Sequence, residues 1–236
     1  MYVKYSTGFK SGGYNLDFVT QADLTAGLEF DKETVDSVEV GLKTALLDNR
    51  MTLNIAYFDS QYEDYQVNQF FDLGLAADGT PLTSIRIENA AEVDTTGLEL
   101  EMNYRVNDAL TLTGSLGFLD ATFASFPNGA SREVITAGGT LARVPEDADG
   151  KRLPNAAEFT SALGIEYYTD ISDWEMDVLF RLDFTHTGDY FTTINNVKER
   201  IVPGTHPLTF ALDTANFLGS ATTLPTVPYG LSLIHI

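Results

Sequence analysis

Apolar and polar residues alternate along much of this chain. From Trp174 to Phe184, the positions Trp174, Met176, Val178, Phe180, Leu182 and Phe184 are apolar, and Glu175, Asp177, Arg181 and Asp183 between them are charged. Successive side chains of a strand point to opposite faces, so this segment predicts a strand with one apolar and one charged surface. The same period recurs at Val3 and Tyr5, at Val38, Val40, Leu42 and Leu46, and at Met51, Leu53, Ile55 and Tyr57. It returns at Leu98, Leu100, Met102 and Tyr104, at Leu110, Leu112, Leu116 and Phe118, and at Phe159, Ser161, Leu163, Ile165 and Tyr167. The Met51 strand is expected to continue through Tyr65 and Val67 to Phe70, and its partner to begin near Ser84. Beyond Asn196 the alternation fades into a tail bearing Pro and Gly.

The connections are lopsided. Asp48-Asn49-Arg50, Asn107-Asp108 and Asp170-Ile171-Ser172 read as tight turns, because these residues tolerate turn geometry. Between them lie a polar loop from Gly12 to Lys32, a tip at Ala77-Asp78-Gly79-Thr80-Pro81, and a loop from Ala124 to Asn155 rich in Gly, Pro and charge. A soluble domain seldom contains a structureless connection of the last kind. The expected fold is all-β: part of an antiparallel transmembrane β-barrel, about seven to eight strands of a large barrel, with long extracellular loops and short periplasmic turns. Tyr57, Tyr104, Tyr167 and Trp174 fall near strand ends, where amphipathic rings suit the headgroup layer. A soluble β-sandwich would need short loops at both ends.

Composition sharpens this picture by exclusion. Acidic residues number 34 against 14 basic ones, for a formal net charge of -20. Nucleic acid needs basic patches, so it is not an expected partner. Solvated loop carboxylates are the plain reading of the excess. Mean hydropathy is -0.06, which a barrel permits because only alternate residues meet lipid. Cysteine is absent, so disulfides and thiolate chemistry do not arise. His186, His206 and His235 have no ligand spacing, and His186 continues the apolar face of its strand. Glu146-Asp147-Ala148-Asp149-Gly150 departs from a calcium loop in its glycine position and lacks the closing glutamate, so it reads as an acidic turn. No Gly-x-Ser-x-Gly elbow occurs. Neither catalytic residues nor a cofactor or metal site is assigned, and no enzyme activity is expected.

Several stretches together resemble one family. They are Gly8-Phe9-Lys10-Ser11-Gly12-Gly13-Tyr14-Asn15, Glu33-Thr34, Glu39-Val40-Gly41-Leu42-Lys43, Asn49-Arg50 and Tyr65-Gln66. Asn89-Ala90-Ala91 followed by Gly97-Leu98-Glu99-Leu100-Glu101 is the most specific, and Leu153-Pro154-Asn155-Ala156 and Gly188-Asp189-Tyr190 add to it. In order and spacing they resemble the C-terminal part of the barrel of TonB-dependent outer-membrane receptors. Lys32 and Ala157 stand where relatives often carry proline.

The resemblance implies a partial barrel over residues 1–196; 197–230 reads as an extracellular loop or tail of the same barrel, and Leu231-Ser232-Leu233-Ile234-His235-Ile236 reads as a non-native end. The resemblance also implies a plug domain and a TonB-engaging segment outside this sequence. The implied function is import of a scarce nutrient, foremost a ferric siderophore, across the bacterial outer membrane. The implied partners are the TonB system, reached through the plug region, the small-molecule ligand and membrane lipid. Lys43, Glu99, Glu101, Arg105, Asp177, Arg181 and Asp183 are the expected lumen-facing or plug-contacting residues. Phe70 and Phe71 are the expected loop-rim contacts to ligand. The rival is a passive porin-like or structural barrel, which calls for an even strand count and a recognisable end strand.

Overall fold

A computed structural model describes residues 1–16, 24, 27–75, 81–135, 137, 139, 141–171, 176–196, 201–202, 204–205, 207–216 and 231–233. For 69–75, 81–85, 90, 132–133, 141–143, 201–202, 209–216 and 231–233, the description is of the backbone. In chain order the strands are β1 (Tyr2–Lys10), β2 (Gly13–Tyr14), β3 (Glu29–Phe30), β4 (Glu33–Leu46) and β5 (Met51–Leu75). Next come β6 (Pro81–Arg105), β7 (Leu110–Ser125), β8 (Ala130–Ile135), β9 (Leu141–Glu146) and β10 (Phe159–Ile171). The last are β11 (Met176–Thr187), β12 (Tyr190–Phe191), β13 (Ile201–Val202), β14 (Leu208–Asn216) and β15 (Leu231–Leu233).

Nine strands form one sheet in the order β1-β4-β5-β6-β7-β10-β11-β14-β15. From β1 to β14 every neighbour is antiparallel, so the wall is an up-and-down meander. The pairs β2-β3, β8-β9 and β12-β13 are small ribbons within the long connections. Two features differ from the sequence reading. The segment 124–155 is not structureless: β7 extends into it and it carries the β8-β9 hairpin. A further wall strand, β14, follows Asn196 and puts Leu208, Phe210 and Leu212 opposite Phe184, Leu182 and Phe180. Its alternation is short and lies behind Pro203 and Pro207, which read as loop. The strand β15 pairs with β14 in parallel, unlike the rest of the meander. Trp174 and the turn residue Ser172 lie outside the described residues.

Register carries the sequence pattern across the sheet row by row. Val40, Tyr57, Leu98, Phe118 and Phe159 are consecutive partners on one face. Below them run Leu42, Ile55, Leu100, Leu116 and Ser161. Side chains of these rows stand in the open: Leu42 is 41% exposed, Tyr57 49% and Phe118 49%. Soluble monomers rarely show a continuous apolar surface of this kind, and lipid is its natural cover. One row above, the same face turns polar with Val38, Asp59, Thr96 and Asp120, and the next row is Asp36, Gln61, Asp94 and Thr122. From Leu110 to Phe118 is about 26 Å of strand at roughly 3.3 Å per residue, or about 20 Å of thickness at a tilt of about 40°. With the side chains that extend beyond these two positions, that is comparable to the apolar band of about 25 Å expected for an outer-membrane barrel.

Aromatic rings mark both borders of the band. Phe118 and Phe159 lie 4.9 Å apart at the upper one, with the His186 ring 5.4 Å from Phe159. Tyr167 and Phe180 pair at 6.4 Å near the lower one. Above the band, β5 and β6 (25 residues each) outlast β4 and β7, and from Tyr65 to Leu75 they continue as a two-stranded ribbon for about 33 Å, at roughly 3.3 Å per residue.

The short turns are made by local chemistry. Leu47, Asp48 and Asn49 have φ of 55°, 55° and 63°, the left-handed conformation that Asn and Asp accept more readily than Leu. The Arg50 guanidinium donates to the Leu47 carbonyl at 3.2 Å and to the Val106 carbonyl at 3.1 Å, tying two neighbouring turns together. Asn107 Oδ1 accepts from the Ala109 and Leu110 amides at 2.9 and 2.8 Å, closing the second turn.

Two glycines on the polar face hold aromatic rings. Tyr2 lies over its cross-strand partner Gly41, and Phe58 over Gly97, in the space a β-carbon would fill. On the opposite face, a β-carbon at Gly114 would meet Leu163 at an ordinary 3.5 Å. Gly97→Val in the full-length protein is therefore expected to lower stability by about 1–3 kcal/mol through overpacking. Gly114→Ala is expected to stay within about 0.5 kcal/mol of the parent. Urea unfolding from lipid vesicles measures both.

Candidate functional site

All seven charged residues singled out in the sequence, Lys43, Glu99, Glu101, Arg105, Asp177, Arg181 and Asp183, project from one face of the sheet. It is the face opposite the exposed apolar band. The structure gathers them into two groups rather than one site.

The first group lies on β1, β4, β5 and β6. The Lys43 ammonium sits 5.7 Å from the centre of the Tyr2 ring, and the Tyr2 hydroxyl donates to Glu39. The Asn54 amide reaches Glu101 at 3.4 Å, and Glu99 lies one row further along β6. A hollow of about 410 Å3 opens there, bordered by Tyr2, Glu39, Lys43, Phe58, Glu99 and Glu101. Three carboxylates face one ammonium, so this stretch of the face is net negative.

The second group lies on β10 and β11. Arg181 Nε and Nη2 donate to the two oxygens of Asp183 at 2.6 and 3.1 Å, and Nη1 donates to Glu166 at 2.9 Å. Such forked, charge-assisted contacts fix the guanidinium in place. Asp177 accepts from the Tyr168 hydroxyl at 2.7 Å. Arg105 occupies the same row as Thr111, Glu166 and Arg181. Sequence reading missed Tyr2, Glu39, Glu166 and Tyr168; the cross-strand register, unknown from sequence, is what makes them partners.

Above the band the resemblance motifs converge. Asn15 exchanges two hydrogen bonds with the Ile87 backbone, 2.9 Å to its carbonyl and 2.8 Å from its amide. Asn89 does the same with Asp31, at 2.9 and 2.6 Å, and also donates to the Asp64 carbonyl at 2.8 Å. Gln66 donates its side-chain amide to the Ser11 and Asp31 carbonyls at 2.9 and 3.0 Å, and its backbone amide to Glu33 at 2.9 Å. Glu33 and Gln66 are both buried. A bulge at Tyr62–Tyr65, with Asp64 at φ 53°, turns Gln66 toward this network. Three amide side chains thus clamp the connection after β1 to the projecting ribbon. Tyr65 stands beside the clamp, where burial, then the Glu33 carboxylate and Tyr62, push its phenol above the usual value of 10.0.

A small apolar core underlies the long connection after β7. Phe126 and Ala148 are 0% exposed, Val93 1% and Phe123 2%, with Val67, Ala91 and Ala130 around them. Asp149 accepts from the Phe126 amide at 2.6 Å and Asp147 from the Asn128 amide at 2.9 Å. The acidic turn is therefore occupied in capping backbone. Asn196 exchanges hydrogen bonds of 2.7 and 3.0 Å with the Arg152 backbone, and Asn195 accepts from the Ser131 amide at 2.7 Å, joining this core to the next connection. Phe70 and Phe71 lie in the ribbon, paired with Ile85 and Ser84. Their side chains, His206 and His235 lie outside the described residues. Among the described residues, no group of three or more His, Asp or Glu side chains is arranged to hold a metal ion.

Fold and faces together define a segment of transmembrane β-barrel wall, greasy on one side and charged on the other. The TonB dependent receptor-like β-barrel model matches residues 1–216, and the chain belongs to that family. Among solved structures, it is similar to the ferric yersiniabactin uptake receptor FyuA from Yersinia pestis, with TM-score 0.61 and 18% identity over 90% of this chain and 26% of that one. It is also similar to BauA, the ferric preacinetobactin receptor from Acinetobacter baumannii, with TM-score 0.59 and 15% identity over 91% and 27%. The siderophore receptor PiuA from Acinetobacter baumannii aligns with TM-score 0.56 and 17% identity over 90% and 26%. The chain thus spans about a quarter of each of these receptors.

Replacing Asn89 by Ala removes the side chain that satisfies both the Asp31 amide and its carbonyl. Hydrogen exchange at the Asp31 amide in the full-length protein is expected to speed up, corresponding to about 1–3 kcal/mol of lost local protection. Asn103→Ala, on the exposed wall of β6, is expected to leave exchange at Asp31 unchanged.

Proposed function

We propose that this chain supplies wall and outer loops to a receptor of the bacterial outer membrane that captures a scarce nutrient, foremost a ferric siderophore. Import is driven by energy delivered through TonB, which acts on a plug region within the barrel. The observation that carries this reading is the pairing of an exposed apolar band with a charged opposite face that keeps excess carboxylate. A charged inner wall suits a lumen filled by a polar domain. Lys43, Glu99, Glu101, Arg105, Asp177, Arg181 and Asp183 face that lumen, and the net-negative hollow beside Glu99 and Glu101 meets the plug. The ribbon bearing Phe70 and Phe71 rises from the outer rim toward the ligand. FyuA is a ferric yersiniabactin uptake receptor, BauA a ferric preacinetobactin receptor and PiuA a siderophore receptor, and this supports the same substrate class here. The work is binding and displacement, with no covalent chemistry.

Deleting the full-length gene is expected to abolish growth on at least one ferric siderophore as sole iron source. Uptake of radiolabelled iron from that complex is expected to fall at least tenfold in a strain lacking TonB. Unchanged, non-saturable uptake without TonB would instead identify a passive pore.

A further inference from the structure

We propose that the long connection between β7 and β10 is a fixed shelf on the inner side of the barrel mouth, which stays seated while the receptor works and does not swing as a lid. This rests on reading the charged face as the lumen. Every second residue up β6 from Glu99 is Gly97, Thr95 and Val93, and up β7 from Gly117 is Leu119, Ala121 and Phe123; Val93 pairs with Phe123. These positions share the face of Glu99, yet exposure falls along them. Glu99 is open, whereas Ala121, Phe123 and Val93 are buried. On the other face, Asp94 and Asp120 at the same height are exposed. The cover therefore lies on the inner side. It comes from Phe126, Ala130 and Ala148 of this connection, with Leu153 packed against them and Ile194 added from the connection after β11.

The seat combines an apolar core with backbone pairing. Phe123, Phe126 and Val93 are the largest fully buried side chains among the described residues, and the two rings lie 5.2 Å apart. The returning chain is tied to β7 by its main chain. The Phe123 amide donates to the Lys151 carbonyl at 3.0 Å, the Gly150 amide to the Phe123 carbonyl at 2.8 Å and the Leu153 amide to the Ala121 carbonyl at 2.9 Å. The Ala148 amide donates to the Phe126 carbonyl at 3.0 Å, closing the path around the ring. Segments that move as lids have few buried apolar contacts and solvent-exposed backbone bonds. Lifting this connection would bare both rings to water and break these bonds together. A layer of chain packed on a sheet takes up about 10 Å. The shelf thus narrows the mouth from this arc, and the ligand passes around it.

The test places single cysteines in the full-length protein on living cells and times their reaction with a membrane-impermeant maleimide. Ala148→Cys reports the seat and Ala130→Cys is a second reporter. Ile135→Cys, at a position of β8 that is 76% exposed, is the open reference. The parent protein gives the background, and the gel migration of unheated samples checks that each barrel is folded. Both reporters are expected to react about a hundredfold more slowly than Ile135→Cys. Their rates are expected to be equal in respiring, iron-starved cells and in cells de-energised with a protonophore. Adding Phe126→Ala to Ala148→Cys is expected to speed its labelling about tenfold. Reaction of the two reporters at the rate of Ile135→Cys would overturn the shelf. So would labelling that accelerates several-fold in respiring cells, the signature of a lid. Labelling that Phe126→Ala leaves unchanged would overturn the ring as its anchor. The same respiring cells receive radiolabelled iron equilibrated with their own spent medium. Absence of uptake would count against the transport reading, while the labelling ratios still decide the shelf.

Discussion

A backbone that crosses a bilayer finds no water with which to hydrogen-bond, so each amide and carbonyl at that depth must be paired within the protein. In this chain the pairing is done by neighbouring strands. The antiparallel ladder from β1 to β14 is therefore the constraint on which everything else rests. It forces an extended backbone through the band, and an extended backbone alternates its side chains. One face can then satisfy hydrocarbon while the other satisfies water or protein. The apolar rows at Tyr57 and Ile55, and the charged rows at Lys43 and Glu101, are two consequences of the same ladder.

The ends of the strands are solved differently at the two membrane surfaces. On the short side the chain reverses in a few residues, and the difficulty is backbone geometry. Asp48 and Asn49 accept positive φ, Asn107 accepts two amides, and Arg50 covers carbonyls of two turns. On the long side the chain leaves the band with far more polypeptide than a reversal needs. That excess is ordered by exchanging backbone partners with side-chain amides at Asn15, Gln66, Asn89 and Asn196. A second device is the apolar core around Phe123 and Phe126. The connections are consequently built parts of the molecule, and their anchoring determines where any binding residue at the rim can stand.

The charged face shows how register converts composition into electrostatics. Arg181, Glu166 and Asp183 form a forked cluster that is largely satisfied within the wall. Lys43 answers only part of the acidic charge of Glu39, Glu99 and Glu101. The first arrangement stiffens the sheet, whereas the second leaves a field for something else to meet. That imbalance runs in the same direction as the overall charge of -20, but it acts locally, over a few ångströms.

Much of the wall was legible in the sequence, because alternation is local: which of Glu99, Leu100 and Glu101 faces lipid follows from counting by twos. The tight turns at Asp48 and Asn107 were legible for the same reason, since their chemistry lies within a few residues. The strand β14 was hidden because its alternation is brief and two prolines precede it; only pairing with β11 reveals it. The hairpin and core within 124–155 were hidden because Phe126 and Ala148 find partners on other strands. The motifs at Asn15, Gln66 and Asn89 could be noticed as a resemblance, yet their work as one clamp could not. Sequence alone thus determined strand faces, turns and the membrane character of the wall, all of which follow from the period of an extended backbone. Tertiary structure decided which charges meet, which loops are anchored and where the polar rim begins, because those depend on register between segments far apart in the chain.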